Sequence, residues 1–439
     1  MLASLLFFIS ILSVGAWFVF YFKLGSGLRF IALAYGFGTA LISLELFLYF
    51  VIFRLSFSPL IYWFFGLQTL VALFLVFKKI NWRHRLLISW QKSYWFSLII
   101  VLVVACFLII NFVQAIARPV LPYDGIAFWS IRAEMMIVDK AVNFNPESAN
   151  YLSSFSHRNY PWHFSLLEYW LRLLGGTGGW LNLISWGYFV SLVFLIISVA
   201  RRCLGNWQGF LAGLFFVSMP FIFYHAANNY ADLTLAYYSA VGFMFFIEWL
   251  ISNNNKLLLF AAFFSGWAMF VKNEGVFCAL ALMAALLVTK FFKPVTIKWR
   301  QLFYSLLALI IPLAPWLIFK VIYKFSFSNT EGAIAFHPQI FNPLAQSLFV
   351  SNNWNIWWVI FIFSSIIMLK KIVFKRTLLP AWIMFGLMSA AIIAMYLFTE
   401  HYLWAMDHTA LSRTFIPLVP MSMILLFISL QFYFSKSND

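Results

Sequence analysis

The segment 94–117 reads YWFSLIIVLVVACFLIINFVQAIA and contains no charged residue. A helix that crosses the hydrocarbon core of a bilayer needs about 20 mostly apolar residues, so this segment is long enough to span a membrane. Hydrophobic residues make up 64% of the chain and charged residues 10%, whereas soluble chains carry about 25% charged residues. The sequence therefore predicts an all-α, polytopic transmembrane helical bundle and leaves no segment for a soluble domain.

Comparable apolar stretches follow one another along the chain and predict about 13 spans. We expect the first to be a retained span rather than a signal peptide, because no basic residue precedes it and no small-residue cleavage site follows it. The predicted spans lie near residues 2–22, 29–53, 57–77, 94–117, 178–200, 207–226, 232–251, 255–271, 275–292, 302–322, 354–369, 378–398 and 414–434.

Basic residues are distributed unequally between two alternating sets of connections. One set contains 19 of the 29 lysines and arginines, and the other set contains 10 over longer loops. Because basic residues collect in cytoplasmic loops, the first set is predicted to lie inside, together with the C-terminus. The net charge of +16 is then explained by basic residues in the inner loops of a protein of the cytoplasmic membrane, and nucleic-acid binding is not predicted. All acidic residues except Glu45, Glu248 and Asp439 fall on the outer face, where titratable chemistry is therefore expected.

Three segments are predicted along the chain. Residues 1–93 form N-terminal membrane helices with a basic cytoplasmic loop, residues 94–292 form a catalytic core, and residues 293–439 form C-terminal membrane helices. The outer loops 118–177 and 323–353 are long, and long loops in compact proteins are commonly functional.

The first outer loop brings Asp124 to the membrane surface, directly after the fourth span. The next stretch, Ile126 to Val138, has helical spacing with an aromatic-rich apolar face, which is typical of an interfacial helix. Asp is also a favoured N-cap residue, so a purely structural role for Asp124 as the cap of that helix is an even alternative.

Further along this loop, His157 and Tyr160 precede an amphipathic run that predicts a second interfacial helix. In this run Glu168 and Arg172 stand four residues apart, as expected of an exposed helical pair. Shorter outer turns contribute Asp232 and the charged sequence Lys272-Asn-Glu-Gly, for which a solvated turn is the plain alternative. Arg413 ends the last outer loop, in a position to meet an anionic headgroup.

The outer face lacks ATP and nucleotide sugars, so a transferase acting there needs an activated donor held in the membrane. A polyprenyl-phosphate sugar meets this need, with its phosphate at the bilayer surface near basic span ends. Lys or Arg can stabilise the leaving phosphate, and a carboxylate can accept the proton of an attacking hydroxyl. The sequence lacks a metal-ligand spacing such as H-E-x-x-H or D-x-D, so neither a metal nor a cofactor is predicted.

Four motifs in this order resemble the multi-spanning C-type glycosyltransferases (GT-C), in particular the branch similar to protein mannosyltransferases and aminoarabinose transferases. They are YDGIAFWSIRA at 123–133, HRNYP at 157–161, NYAD at 229–232 and KNEG at 272–275. The resemblance covers about residues 94–290, with Arg413 as a looser match.

The resemblance implies a GT-C helical membrane fold, Asp124 as catalytic base, a polyprenyl-phosphate sugar donor and inversion at the anomeric carbon. It leaves the sugar open as hexose or pentose, and the acceptor open as glycan, lipid or protein. The positions that it implies for substrate binding are Arg132, His157, Tyr160, Tyr230, Asp232, Lys272, Glu274 and Arg413.

Two rival functions remain at this point. A transporter or flippase for lipid-linked glycans would place ionisable residues within broken membrane helices, and Glu45 in the second span is the main candidate. A polymerase or ligase of the O-antigen type would also use arginines and histidines of outer loops.

Overall fold

The computed structural model describes residues 1–79, 94–155, 157–292, 297–325 and 334–434 of the chain. Within these ranges all regular structure is helical, and none of the described residues forms a strand. This confirms the predicted all-α class. Helices are the expected solution in lipid because each helix satisfies its backbone hydrogen bonds internally.

The chain divides into two compact units, Met1–Val217 with Phe223–Tyr230, and Ser218–Ile222 with the residues from Ala231 onward. The first unit contains eight α-helices among its described residues. They are α1 (Leu2–Phe22), α2 (Gly27–Phe47), α3 (Leu60–Lys79), α4 (Tyr94–Ala117), α5 (Ile131–Asp139), α6 (His163–Leu173), α7 (Leu183–Leu204) and α8 (Asn206–Val217).

The chain enters the second unit after Val217, returns to the first within α9 (Pro220–Ala226), and enters the second again after Tyr230. The described part of the second unit then continues with long helices separated by short ones. They are α10 (Asp232–Ser252), α11 (Asn255–Val271), α12 (Gly275–Phe292), α13 (Trp299–Ile322), α14 (Phe341–Ala345), α15 (Trp357–Lys375), α16 (Leu379–Phe398), α17 (Tyr402–Met406), α18 (Leu411–Phe415) and α19 (Leu418–Phe434).

Nine helical segments within the described ranges are long and apolar enough to cross a membrane, and α8 with α9 forms a bent pair that would make a tenth. Three shorter apolar helices lie at Asn255–Val271, Gly275–Lys290 and Trp357–Lys370. The chain is therefore a multi-pass membrane protein, while the count of about 13 spans stays a prediction. The predicted boundaries at 93 and 292 also stay predictions. Most of the basic loop 78–93 and part of the outer loop 323–353 lie outside the described residues.

Two glycines allow α1 and α2 to pack with their backbones in contact. A Cβ added at Gly15 would lie 1.7 Å from the carbonyl oxygen of Ala34, and one at Gly38 would lie 1.9 Å from that of Ile11. Small residues permit this close approach in membrane helices, where packing drives association. We infer that neither glycine can be replaced by a larger residue without separating the two helices.

The helix α6 confirms the helical prediction for this run, but the prediction of an exposed face is wrong. Residues from His163 to Leu171 are buried, and Glu168 has no exposed surface. Ser43 of α2 lies 2.6 Å from Nδ1 of His163, and the hydroxyl of Tyr188 in α7 lies 2.9 Å from Nε2. Burial lowers the pKa of His163 to about 3, so the ring is neutral at pH 7. This neutral ring joins three helices, because a buried polar group is retained where its hydrogen bonds are made.

The sidedness of the chain can be tested with single cysteines introduced after replacement of Cys106, Cys203 and Cys278. We expect Asn145→Cys and Ala335→Cys to react in intact cells with a membrane-impermeant maleimide. We expect Ser26→Cys and Asn254→Cys to react only after the membrane is opened, since they lie in connections predicted to be inside. The labelled fraction on a gel is the measurement, and the reversed pattern would contradict the predicted orientation.

Candidate functional site

Asp124 lies at the start of the first outer loop, immediately before a π-helical turn at Gly125–Ser130 that leads into α5. Its backbone is already helical, with φ −64° and ψ −36°, and its side chain makes no capping hydrogen bond. An N-cap residue normally has extended backbone and accepts a hydrogen bond from the first turn. The alternative of Asp124 as a helix cap is therefore wrong. Single π-helical turns often mark functional positions.

Aromatic rings gather around this turn in the first unit. The ring centroids of Phe128 and His157 are 3.8 Å apart, and those of Phe128 and Tyr160 are 5.1 Å apart in a stacked arrangement. Burial lowers the pKa of His157, while the charge of Asp124 raises it and that of Arg132 lowers it. His157 and Tyr160 therefore lie beside the turn that carries Asp124, although contact of either residue with substrate stays a prediction.

Arg132 is fully buried and fixes the backbone of the HRNYP motif. Its Nη1 donates to the carbonyls of Tyr160 and Pro161, each at 3.2 Å, and its Nη2 donates to that of His157 at 3.3 Å. The guanidinium lies 4.5 Å from the ring centre of Trp162. Burial lowers the pKa of Arg132 to about 9, which leaves it charged at neutral pH. Its donors thus hold the loop in place, which the sequence pattern alone did not show.

Tyr230 contributes its backbone to the packing of the first unit. Its carbonyl accepts a hydrogen bond of 3.0 Å from Ser185, and its ring centroid lies 4.7 Å from that of His225. The role of Tyr230 in substrate binding stays a prediction.

In the second unit, Asp232 holds two cations through its two oxygens. Lys272 Nζ lies 2.9 Å from Oδ1, while Nε and Nη2 of Arg413 donate to Oδ2 at 3.2 and 3.0 Å. Asp232 lies in the first turn of α10, Lys272 follows α11, and Arg413 belongs to α18. The side chains of Asp232 and Lys272 are 3% and 8% exposed. A solvated turn at Lys272 is therefore ruled out, and three distant parts of the sequence form one cluster.

Glu274 is the fourth charged residue of this cluster, and it lines a pocket beside it. Its Oε1 lies 3.2 Å from Lys272 Nζ, so the four charged side chains balance to no net charge. Asp232, Lys272 and Glu274 line the pocket together with Thr414. The apolar remainder of its lining is Leu235, Phe277, Met388, Ile392 and Pro417.

His401 is a neighbour of this cluster that the sequence analysis did not select. Burial lowers its pKa, and the charges of Glu274 and Glu400 raise it. Its Nδ1 lies 2.9 Å from the hydroxyl of Thr399. A lone histidine in a loop carries no signal in sequence, so proximity to Glu274 became visible only from the fold.

Glu45, on which the transporter alternative depends, lies in α2 and pairs with α3. Its Oε1 accepts a hydrogen bond of 2.7 Å from Gln68 Nε2. Across the described residues, no three His, Cys, Asp or Glu side chains gather closely enough to hold a metal ion. The prediction that no metal is used stays a prediction.

Residues 161–319 match the family model described as dolichyl-phosphate-mannose-protein mannosyltransferase. The match includes Asp232, Lys272 and Glu274, whereas Asp124 and Arg413 lie outside it. No curated protein matches the sequence.

Two crystal structures of ArnT from Cupriavidus metallidurans are similar to this chain. The apo structure has 19% sequence identity and a TM-score of 0.54 over 75% of this chain and 59% of that chain. The structure bound to undecaprenyl phosphate has 19% identity and a TM-score of 0.53 over 77% and 60%. This chain thus spans about three fifths of the length of ArnT. The predicted resemblance to the multi-spanning C-type glycosyltransferases is therefore confirmed, and the chain has their fold.

Proposed function

We propose that this chain is a membrane glycosyltransferase that moves a sugar from a polyprenyl-phosphate donor to an acceptor hydroxyl outside the cytoplasm. The main support for this proposal is a cluster in which Lys272 and Arg413 both pair with one buried carboxylate, Asp232. Two cations held at fixed positions, one of them in the lining of a pocket, suit a phosphate group, because charge-assisted hydrogen bonds to phosphate are strong and directional. The undecaprenyl phosphate bound to ArnT, a protein of the same fold, supports this ligand class.

Asp232 and Asp124 are suited to different tasks. Both oxygens of Asp232 are bound to cations, which makes this carboxylate a poor proton acceptor and a good support for Lys272 and Arg413. Asp124 is partly exposed, precedes an unusual helical turn and does not cap it. We assign the role of general base to Asp124, which must lie within hydrogen-bond reach of the acceptor hydroxyl during the reaction.

The proposed reaction is one displacement at the anomeric carbon. The acceptor oxygen forms a bond to that carbon while the bond from the carbon to the phosphate oxygen breaks. The acceptor proton goes to the Asp124 carboxylate, and the bonding electrons leave with the polyprenyl phosphate. Lys272 and Arg413 stabilise the charge that develops on this phosphate, a contribution that is often the largest in catalysis. A single displacement inverts the anomeric configuration and takes its charge stabilisation from these side chains.

The membrane setting also favours a lipid-linked donor. Lys272 and Arg413 lie next to the apolar helices α11 and α19, so a phosphate at the membrane surface could keep its polyprenyl tail in lipid. We place the protein in the cytoplasmic membrane, with the C-terminus inside and the reaction outside.

Replacement of the base tests the function. We expect Asp124→Asn to lower transfer by about 100- to 10,000-fold, since it removes the proton acceptor and keeps the size of the side chain. The measurement is a glycan profile of cells that carry the variant, with the accumulated polyprenyl-phosphate lipids identified by mass spectrometry. The expected result is loss of one sugar from a glycan and accumulation of the matching lipid-phosphate sugar.

Asp139→Asn is the matched control, because Asp139 lies in the same loop and its carboxylate accepts a hydrogen bond from Asn150 that an amide oxygen can also accept. This variant should transfer sugar like the wild type. Wild-type transfer by Asp124→Asn would remove Asp124 from the reaction. Accumulation of complete lipid-linked glycans would instead favour a flippase or an O-antigen-type polymerase or ligase.

A further inference from the structure

Glu168 is a fully buried carboxylate to which the proposed reaction assigns no role. Its Oε1 accepts a hydrogen bond of 3.1 Å from Nε of Arg172 and forms an ion pair with Nη2 of the same residue at 3.0 Å. Arg172 also pairs with Glu134, whose side chain is 48% exposed. A buried carboxylate is costly unless each oxygen is hydrogen-bonded, and Arg172 satisfies one of the two.

The second oxygen of Glu168 is bound to the NYAD motif. Oε2 accepts a hydrogen bond of 2.7 Å from Nδ2 of Asn229, which is itself fully buried. The same Nδ2 atom donates to the hydroxyl of Ser130 at 3.1 Å. Glu168 thus fixes the orientation of an amide that also reaches the first outer loop.

Asn229 contacts both ends of the π-helical turn that follows Asp124. Ser130, at the end of this turn, receives the side-chain hydrogen bond. At the start of the turn, a Cβ added to Gly125 would lie 2.9 Å from the carbonyl oxygen of Asn229. The backbone of Gly125, the residue next to Asp124, therefore lies close to the backbone carbonyl of Asn229.

We propose that Glu168 is a positioning residue which holds Asn229 against both ends of the Asp124 turn and so keeps the catalytic carboxylate in place. The inference rests on the proposed role of Asp124 as base. All of its contacts lie within the first unit. A displacement of about 1 Å in a catalytic group can lower a rate by about 100-fold. Glu168 can therefore affect the reaction rate strongly without contacting the substrate.

The test uses Glu168→Gln in the purified full chain, with transfer from a polyprenyl-phosphate sugar as the assay. Glutamine keeps the size of the side chain but replaces one of the two carboxylate oxygens with an NH2 group. Because Arg172 and Asn229 donate to different oxygens, this NH2 group would face one of the two donors. We expect kcat to fall by about 10- to 100-fold, with the KM for the donor changed by less than about twofold, because positioning affects the chemical step. Rates are normalised to the folded fraction, taken from the stoichiometry of undecaprenyl phosphate binding.

Glu134→Gln is the matched control, since it makes the same chemical change in the other carboxylate that pairs with Arg172. It should keep kcat within about twofold of the wild type, because an exposed ion pair contributes little. Asn229→Ala should reproduce the loss caused by Glu168→Gln. The double variant should lose little more than either single variant, because residues that act through one contact are not additive.

The outcomes separate this inference from the proposed function. If the wild-type protein transfers no sugar, the proposed function fails. If the wild type transfers sugar and Glu168→Gln keeps its kcat, the positioning role fails while the proposed function stands. A double variant whose loss equals the product of the two single losses would also overturn the coupling between Glu168 and Asn229.

Discussion

In the second unit, one buried carboxylate pairs with two cations. Asp232 accepts hydrogen bonds from Lys272 and Arg413, which come from segments far apart in the sequence. Removing one partner of a buried ion pair typically costs about 3–5 kcal/mol, because the remaining charge has lost its compensation. Asp232 therefore allows two cations to lie next to apolar helices. The same contacts hold Lys272 in the lining of the pocket and Arg413 next to Thr414, which also lines it. Such preorganisation is what the proposed stabilisation of a phosphate requires.

In the first unit, buried side chains hold the backbone of a loop in place through hydrogen bonds. Arg132 is buried and donates to three backbone carbonyls of the HRNYP motif, while Asn229 supports the turn after Asp124. Loop backbone that is removed from water must find such partners. Both units thus use buried polar side chains to fix the loops to which the proposed chemistry is assigned, and the long apolar helices form a rigid frame around them.

Much of the fold could be predicted from the sequence, because lipid restricts a spanning chain to internally hydrogen-bonded helices and each apolar stretch is visible locally. The resemblance implied a shared role in substrate binding for Asp232, Lys272 and Arg413, and the structure brings their side chains together, while the role itself stays a prediction. Burial was harder. Glu168 and Arg172 have the spacing of an exposed pair, yet neighbouring elements cover Glu168, and the pattern within one helix cannot show which elements pack on it. The place of His401 beside Glu274 likewise depended on tertiary structure.

Direct binding tests, without turnover, whether Lys272 and Arg413 bind the phosphate of a polyprenyl lipid. Native mass spectrometry of the purified protein with undecaprenyl phosphate should give a Kd for the wild type, for Lys272→Met and Arg413→Met, and for Lys256→Met at the start of α11 as control. We expect each of the first two variants to bind about 10-fold or more weakly, because each loses one charge-assisted contact, and the control to bind like the wild type. Unchanged affinity in both cluster variants, measured on folded protein, would show that these side chains do not bind the phosphate.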